Sequence, residues 1–309
     1  IVKVGGAYAC IPNEPVDQPG TFTVSNFEVT SRDIFCTNAR IEIPYGVTTI
    51  RDNVFSSSGI TSALISSSVK SIGANAFYSN GSLTSIEFAI SSRLETIGES
   101  AFRETAITSF SIPNNVISIG VSAFVSNTLM SSVFINDTAR LQIIGDSAFF
   151  GSGITAINLP PSVTTIGTYA FMNTFLLESL SFGIGSRLQT IGERAFQSTG
   201  IASVTIPASV TSIGNYAFHA AGDLLRVTFL GNAPSEVGEG PFDSIGYQAT
   251  AYVSDTATGF GDDESTWNGL RVDKVGGTYE CLTDGTQTGT FTVTQQVVTS
   301  HNSCAGLAE

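Results

Sequence analysis

The string SIGANAF, residues 71–77, decides the fold because it keeps returning. It recurs as TIGESAF (96–102), SIGVSAF (118–124), IIGDSAF (143–149), TIGTYAF (165–171), TIGERAF (190–196) and SIGNYAF (212–218). A weaker first copy, TIRDNVF, stands at 49–55, and a degenerate last copy, EVGEGPF, at 236–242. The closing phenylalanines are Phe55, Phe77, Phe102, Phe124, Phe149, Phe171, Phe196, Phe218 and Phe242, separated by 22, 25, 22, 25, 22, 25, 22 and 24 residues. The alternation makes a pair of coils, 47 residues long, the duplicated unit. One such coil cannot cover its own apolar side, so the coils must stack into a solenoid.

Between these strings runs a second pattern, apolar-x-x-apolar-x-apolar, as in Ile107/Phe110/Ile112, Ile154/Ile157/Leu159 and Ile201/Val204/Ile206. Its closing alternation and its β-branched and aromatic residues predict one short strand per coil. The Ile and Phe of the first string then line the opposite wall of the same core. At about 4.8 Å per strand, nine coils span roughly 40 Å. The recurrent glycines Gly73, Gly98, Gly120, Gly145, Gly167, Gly192 and Gly214 predict a backbone bend or a positive φ, followed by a turn of 3₁₀ or α helix.

The V-x-x-I-G-x-x-A-F core and the I-x-x-V-x-I-P strand, both present in IASVTIPASVTSIGNYAF (201–218), resemble the BspA-like leucine-rich repeats, also called the treponemal type. The resemblance covers about residues 41–271, including GNAPSEVGEGPF (231–242), ATAYV (249–253) and Trp267 near the end. It implies a mainly β leucine-rich-repeat solenoid of about nine coils, with one parallel sheet on the concave face. It also implies a bacterial or protist surface protein, often an adhesin that binds host or matrix proteins.

Two further segments copy each other. VGGAYAC (4–10), GTFTV (20–24) and Cys36 correspond to VGGTYEC (275–281), GTFTV (289–293) and Cys304. The predicted organisation is a small disulfide-stapled β module at 1–40, the solenoid at 41–273 with a C-terminal cap from about 243, and a second module at 274–309. Either a next array follows this second module in a tandem protein, or the module is a terminal cap. Four cysteines allow three pairings. Cys10–Cys36 and Cys281–Cys304 each fall inside one module copy, closing loops worth about 3 kcal/mol each in the chain-entropy model. Zinc is the competing reading, but close Cys-x-x-Cys spacing and histidine partners are lacking. Disulfides imply an extracellular protein, secreted or attached to a cell surface.

Only 13% of residues are charged, and 13 Lys and Arg face 26 Asp and Glu, for a net charge of −13. Phosphate recognition needs clustered cations, so nucleic acid is not an expected partner. No apolar run reaches the ~18 residues that span a bilayer, so no membrane insertion is expected in this segment. No leader-like start opens the chain, which reads as a mature form or an excised fragment. Of the two histidines, His219 reads as a solvated loop residue and His301 has no acidic pattern around it. The acids of GDDES (261–265) read as a solvated loop ahead of a calcium site. Asn80-Gly81-Ser82 and Asn136-Asp137-Thr138 match the glycosylation sequon. No catalytic residues, metal ligands or cofactors are assigned, and no enzyme activity is expected.

The candidate site is the concave strand face. Its outward positions are Ser62/Leu64, Ser85/Glu87, Ser109/Ser111, Ser132/Phe134, Ala156/Asn158, Ser179/Ser181, Ser203/Thr205 and Arg226/Thr228. Ser and Thr suit a crowded sheet face with no ligand at all. A solenoid also presents extended binding surfaces, and on that reading Leu64, Glu87, Phe134, Asn158 and Arg226 carry the contacts. Two functions follow: an adhesin or recognition protein binding a protein or glycan at a cell surface or matrix, or a spacer or fibre subunit joining itself end to end through the duplicated modules. An enzyme or an ice-binding face is the remaining alternative, with no clustered His, Asp and Cys and no regular Thr ranks to support it.

Overall fold

The computed structural model describes residues 5–12, 20–32, 36–283, 286–294 and 297–302. Among the described residues there is no helix. The chain winds as a β-solenoid with two strand-bearing walls. Two-residue strands such as Thr49–Ile50, Ser71–Ile72 and Thr96–Ile97 come from the T/S-I-G strings and join in one twelve-stranded sheet. On the other wall, the second pattern gives four-residue strands such as Ser85–Phe88, Ser109–Ile112 and Ser132–Ile135. Counting the flanking strands Ala39–Ile43, Thr250–Ser254 and Leu270–Thr283, that wall has about eleven rungs, more than the nine legible in the motif.

The closing phenylalanines form one buried file. From Phe55 to Phe242 successive rings stack with centroids 5.1–5.5 Å apart and planes within 18° of parallel. All nine are at most 1% exposed. Each ring covers the face of the next, so removing one opens a cavity against two neighbours.

The segment around each phenylalanine makes turns where a short helix was expected. Asn75, Phe77 and Ser79 donate their amides to Glu99, Ala101 and Arg103 of the next coil, while Ala76 and Tyr78 bond back locally to Gly73 and Asn75. Asn75 and Ser79 take positive φ of 53° and 54° to permit this alternation. A helix needs consecutive amides turned into its own carbonyls, and here every second amide is spent on the neighbouring coil.

Of the two expected causes of the glycine column, a backbone bend or a positive φ, the second is not what the structure has. A Cβ on Gly98 would lie 2.6 Å from the carbonyl carbon of Gly73, and one on Gly120 would lie 2.6 Å from that of Gly98. None of the seven column glycines has a positive φ. Close approach of stacked backbones is what requires them.

The 22/25 alternation shapes the four-residue wall. In the longer coils the connection from this strand to the next two-residue strand is two residues longer, as in AISSRLETIG (89–98) against PNNVISIG (113–120). Strands pair fully going into each longer coil, as in Ser109↔Ser132 through Ile112↔Ile135. Going out, pairing fails between Ser85–Phe88 and Ser109–Ile112 and between Ser179–Phe182 and Ser203–Ile206, and only Ser132↔Ala156 survives at the middle junction. The wall therefore runs in three paired segments rather than as one unbroken sheet.

At the start, Gly6–Ala9, Thr21–Ser25 and Glu28–Arg32 form an antiparallel set, and Glu28–Arg32 then pairs in parallel with Thr49–Ile50. The expected Cys10–Cys36 disulfide is present, with Cα atoms 5.5 Å apart. Tyr8 stacks on Phe22, which meets Phe55 edge-on and joins the module to the ring file. At the far end Phe229 and Trp267 pack on Phe242, and Phe260 packs on both of them. The strand Leu270–Thr283 pairs with Thr250–Ser254 and runs on to pair with Thr286–Thr294. Residue Cys304 lies outside the described residues, so the second expected disulfide does too.

Candidate ligand-binding face

Side chains alternate along the four-residue strands, so the first and third residues of each face outward. All five candidate residues occupy such positions. Leu64 and Glu87 are register partners and line one hollow together. Phe134 is 61% exposed, far more than a core phenylalanine, and its register partner is Ser111. Asn158 is engaged locally: its amide donates to Asp137 Oδ1 at 2.8 Å, and its carbonyl oxygen accepts from the Ser181 hydroxyl at 2.9 Å. The guanidinium of Arg226 lies 4.0 Å from the centre of the Tyr252 ring, which fixes it by cation–π attraction. The five residues thus spread along the wall instead of converging, apart from Leu64 with Glu87.

The two junctions where strand pairing fails are open clefts. The first, of about 800 Å³, is lined by Leu64, Glu87, Phe88, Ser111, Pro113 and Asn114 among others. The second, of about 550 Å³, lies at the equivalent junction two repeat units on and includes Phe182, Gly183, Ile184, Thr205, Pro207 and Leu230. The second has no charged residue in its lining. Phe88 and Phe182 are half-buried, whereas the matching short-coil residues Ile65, Ile112 and Ile206 are buried. Ile90 and Ile184, in the loops beside the two clefts, are almost wholly exposed. Phe88 and Phe182 fit the core template of the strand motif, so the pattern hid them. The signal that could have found them is the longer connection that follows, AISSR (89–93) and GIGSR (183–187).

The other sequence candidates fall elsewhere. His219 is half-buried beside Tyr216, with ring centroids 5.6 Å apart, rather than fully solvated. His301 lies in the strand Val297–Asn302. In GDDES, Asp263 Oδ1 accepts from the Lys274 amide at 3.0 Å and Glu264 pairs with Arg271 at 3.4 Å. Among the described residues no group of His, Cys, Asp and Glu is placed to hold a metal ion. Nor is any helix there long and apolar enough to cross a membrane. Asn80, one of the two sequon asparagines, is completely buried, and its side chain is consumed by hydrogen bonds to Ser58, Gly59, Phe55 and Phe77. It is a structural residue and no attachment point. Asn136 is exposed.

Two stacked ladders, a single phenylalanine file and a glycine column of touching backbones define a leucine-rich-repeat β-solenoid. The model of the BspA type leucine rich repeat region matches in six copies over residues 34–131 and 122–247, and the chain belongs to that family. Among solved structures it is similar to a leucine-rich repeat protein from Bacteroides ovatus, at 20% identity and a TM-score of 0.55, covering 89% of this chain and 76% of that one. It is also similar to the pneumococcal vaccine antigen PcpA, at 17% identity and a TM-score of 0.49, covering 88% and 89%. A leucine rich cell surface protein from Faecalibacterium prausnitzii matches at 21% identity and a TM-score of 0.45, covering 87% and 94%. The search of curated proteins gave no match.

Proposed function

We propose that this chain is an extracellular, non-catalytic recognition protein of a cell surface that binds a protein or a glycan through the outward face of its four-residue strands. Leu64, Glu87, Phe134, Asn158 and Arg226 are contact residues on that reading. Membership of the BspA-type family and the Cys10–Cys36 disulfide support a secreted or surface setting. The observation that carries the binding role is the pair of equivalent clefts on either side of Phe134. Four strand spacings separate them, about 20 Å. That span suits an extended macromolecule and is too long for one small molecule. Exposed aromatic and aliphatic side chains beside preformed hollows are the usual anchors of such contacts. The test is surface plasmon resonance against purified matrix proteins and glycans. A variant carrying Ile90→Ser, Phe134→Ser and Ile184→Ser is expected to lose at least tenfold in affinity for the ligand found. Phe175→Ser, an exposed residue away from both clefts, is expected to lose nothing. Equal binding by the triple variant and the parent would overturn the assignment.

A spacer or fibre role is the second reading, favoured by one specific relationship. The pairs Gly6↔Val24, Ala7↔Thr23 and Tyr8↔Phe22 recur as Gly277↔Val293, Thr278↔Thr292 and Tyr279↔Phe291, and the register shift after Thr23 recurs after Thr292. In the first module the third strand starts the two-residue ladder through Val29↔Ile50. Val298 holds the matching place in the second module and is the natural start of another ladder. Electron micrographs of the native protein test this: rods joined end to end support it, and compact independent particles exclude it.

A further inference from the structure

Three arginines recur with the 47-residue unit of the sequence. Arg93, Arg140 and Arg187 stand in the sequences SRL (92–94), ARL (139–141) and SRL (186–188), one in each of three successive longer coils. All three are exposed, and none makes an ion pair among the described residues. By contrast Arg40, Arg51, Arg103, Arg194 and Arg271 each meet a carboxylate.

Their backbones are held on both sides. From the preceding coil, the amides of Arg93, Arg140 and Arg187 are fixed by the carbonyls of Ser67, Asn114 and Pro161, at 3.2, 2.9 and 3.1 Å. From the following coil, Ser162 bonds the carbonyls flanking Arg140, and Ser209 bonds those flanking Arg187, at 2.7–2.9 Å. Asn115 does the same for Ser92, just before Arg93, at 2.8 Å. The next residue in each case, Leu94, Leu141 and Leu188, is fully buried. Two strand spacings then set the pitch of the file at about 10 Å. Three exposed arginines thus have their backbones held in line, at fixed intervals, along one edge of the four-residue wall.

We propose that this file binds a linear anionic polysaccharide with a carboxylate or sulfate in each repeating unit. Such a polymer is stiff and carries charge at regular intervals, so successive acidic groups can meet successive arginines. An acidic peptide has no fixed pitch. A nucleic acid packs its phosphates far more densely than the pitch of the file. Arg is suited to both anions because its planar fork pairs with carboxylate and sulfate oxygens bidentately. The file lies on the connections that follow the strands, so it stands independently of ligand binding at Phe134.

The test uses the full chain and immobilised chondroitin sulfate, with neutral dextran as control. Retention is expected at low ionic strength and elution as salt screens the contacts. Each of Arg93→Gln, Arg140→Gln and Arg187→Gln is expected to weaken binding by up to about fivefold, the range of an exposed charge contact. The triple variant is expected to lose retention with an unchanged melting temperature, and Arg194→Gln, a half-buried arginine outside the file, to keep it. Retention of the triple variant, equal loss in Arg194→Gln, or polyglutamate competing as well as free chondroitin sulfate would each overturn the proposal.

Discussion

Asn80 clamps Ser58 across two coils. Its side-chain oxygen accepts from the Ser58 amide at 2.9 Å and from the Ser58 hydroxyl at 2.8 Å, while its nitrogen donates to Phe55 O and Phe77 O at 2.7 and 2.8 Å. Both residues are buried, and the place recurs in each longer coil as Asn127, Thr174 and Ala221. Replacing Asn80 by Ala leaves several buried polar groups unpaired. Asn80→Ala is expected to cost about 3 kcal/mol or more. Asn127→Ala is expected to cost less, because Asn127 Nδ2 has no partner to lose. Urea unfolding of the two variants checks the order. Expression in a glycosylating host is also expected to leave Asn80 unmodified, which mass spectrometry would read.

The glycine column predicts a contrast between two nearby positions. A Cβ on Gly145 would sit 2.8 Å from backbone atoms of Ile119, Gly120 and Val121, none of which can swing away. Gly145→Ala is expected to cost about 3 kcal/mol, at the upper end of overpacking. Gly151 has a φ of 62° and nothing within 4 Å of its virtual Cβ, and Ala220 already takes the same conformation at the equivalent place. Gly151→Ala is expected to cost only about 1 kcal/mol, the strain of a left-handed residue. Denaturant midpoints of both variants test this.

The disulfide between Cys10 and Cys36 ties a loop of sequence separation 26 against the first coils. Its removal by Cys10→Ser with Cys36→Ser is expected to lower stability by about 3 kcal/mol in the chain-entropy model. The loss should appear first in hydrogen exchange of the strands Gly6–Ala9 and Thr21–Ser25, ahead of the central coils. Uniform loss of protection along the whole chain would contradict it.

Tyr216 predicts a pH dependence at the alkaline end. Its hydrogen bond to Glu239 holds the phenol above its ordinary value of 10.0, helped by desolvation and by the charges of Glu239 and Asp243, and opposed by Arg194. The folded state thus holds the proton more tightly than the unfolded chain. The increment is present below the ordinary value and is lost as pH rises through the folded one. Stability of the parent is therefore expected to fall more steeply above pH 10 than that of Tyr216→Phe, and a spectrophotometric titration should show one phenol ionising late.

The repeat, its period and its β character were legible in the sequence because they are properties of residues close together. A phenylalanine every 22 or 25 residues has few ways to be buried, and a file is the simplest. The outward positions of Phe134 and Arg226 followed equally from strand alternation. The burial of Asn80 was not legible, because a buried amide and an exposed one look alike in a local motif. The close approach that requires the glycines was not legible because it involves the neighbouring coil, which lies 22 or 25 residues away in the chain.

The sequence by itself determined that the coils stack, which side chains form the core, and which strand positions face out. Only the tertiary structure decided where the strand wall opens, that Phe88 and Phe182 line clefts, and that Arg93, Arg140 and Arg187 make no ion pair among the described residues. The physical reason is that hydrophobic burial depends on composition and spacing, whereas pairing between strands and between charges depends on how one coil registers against the next.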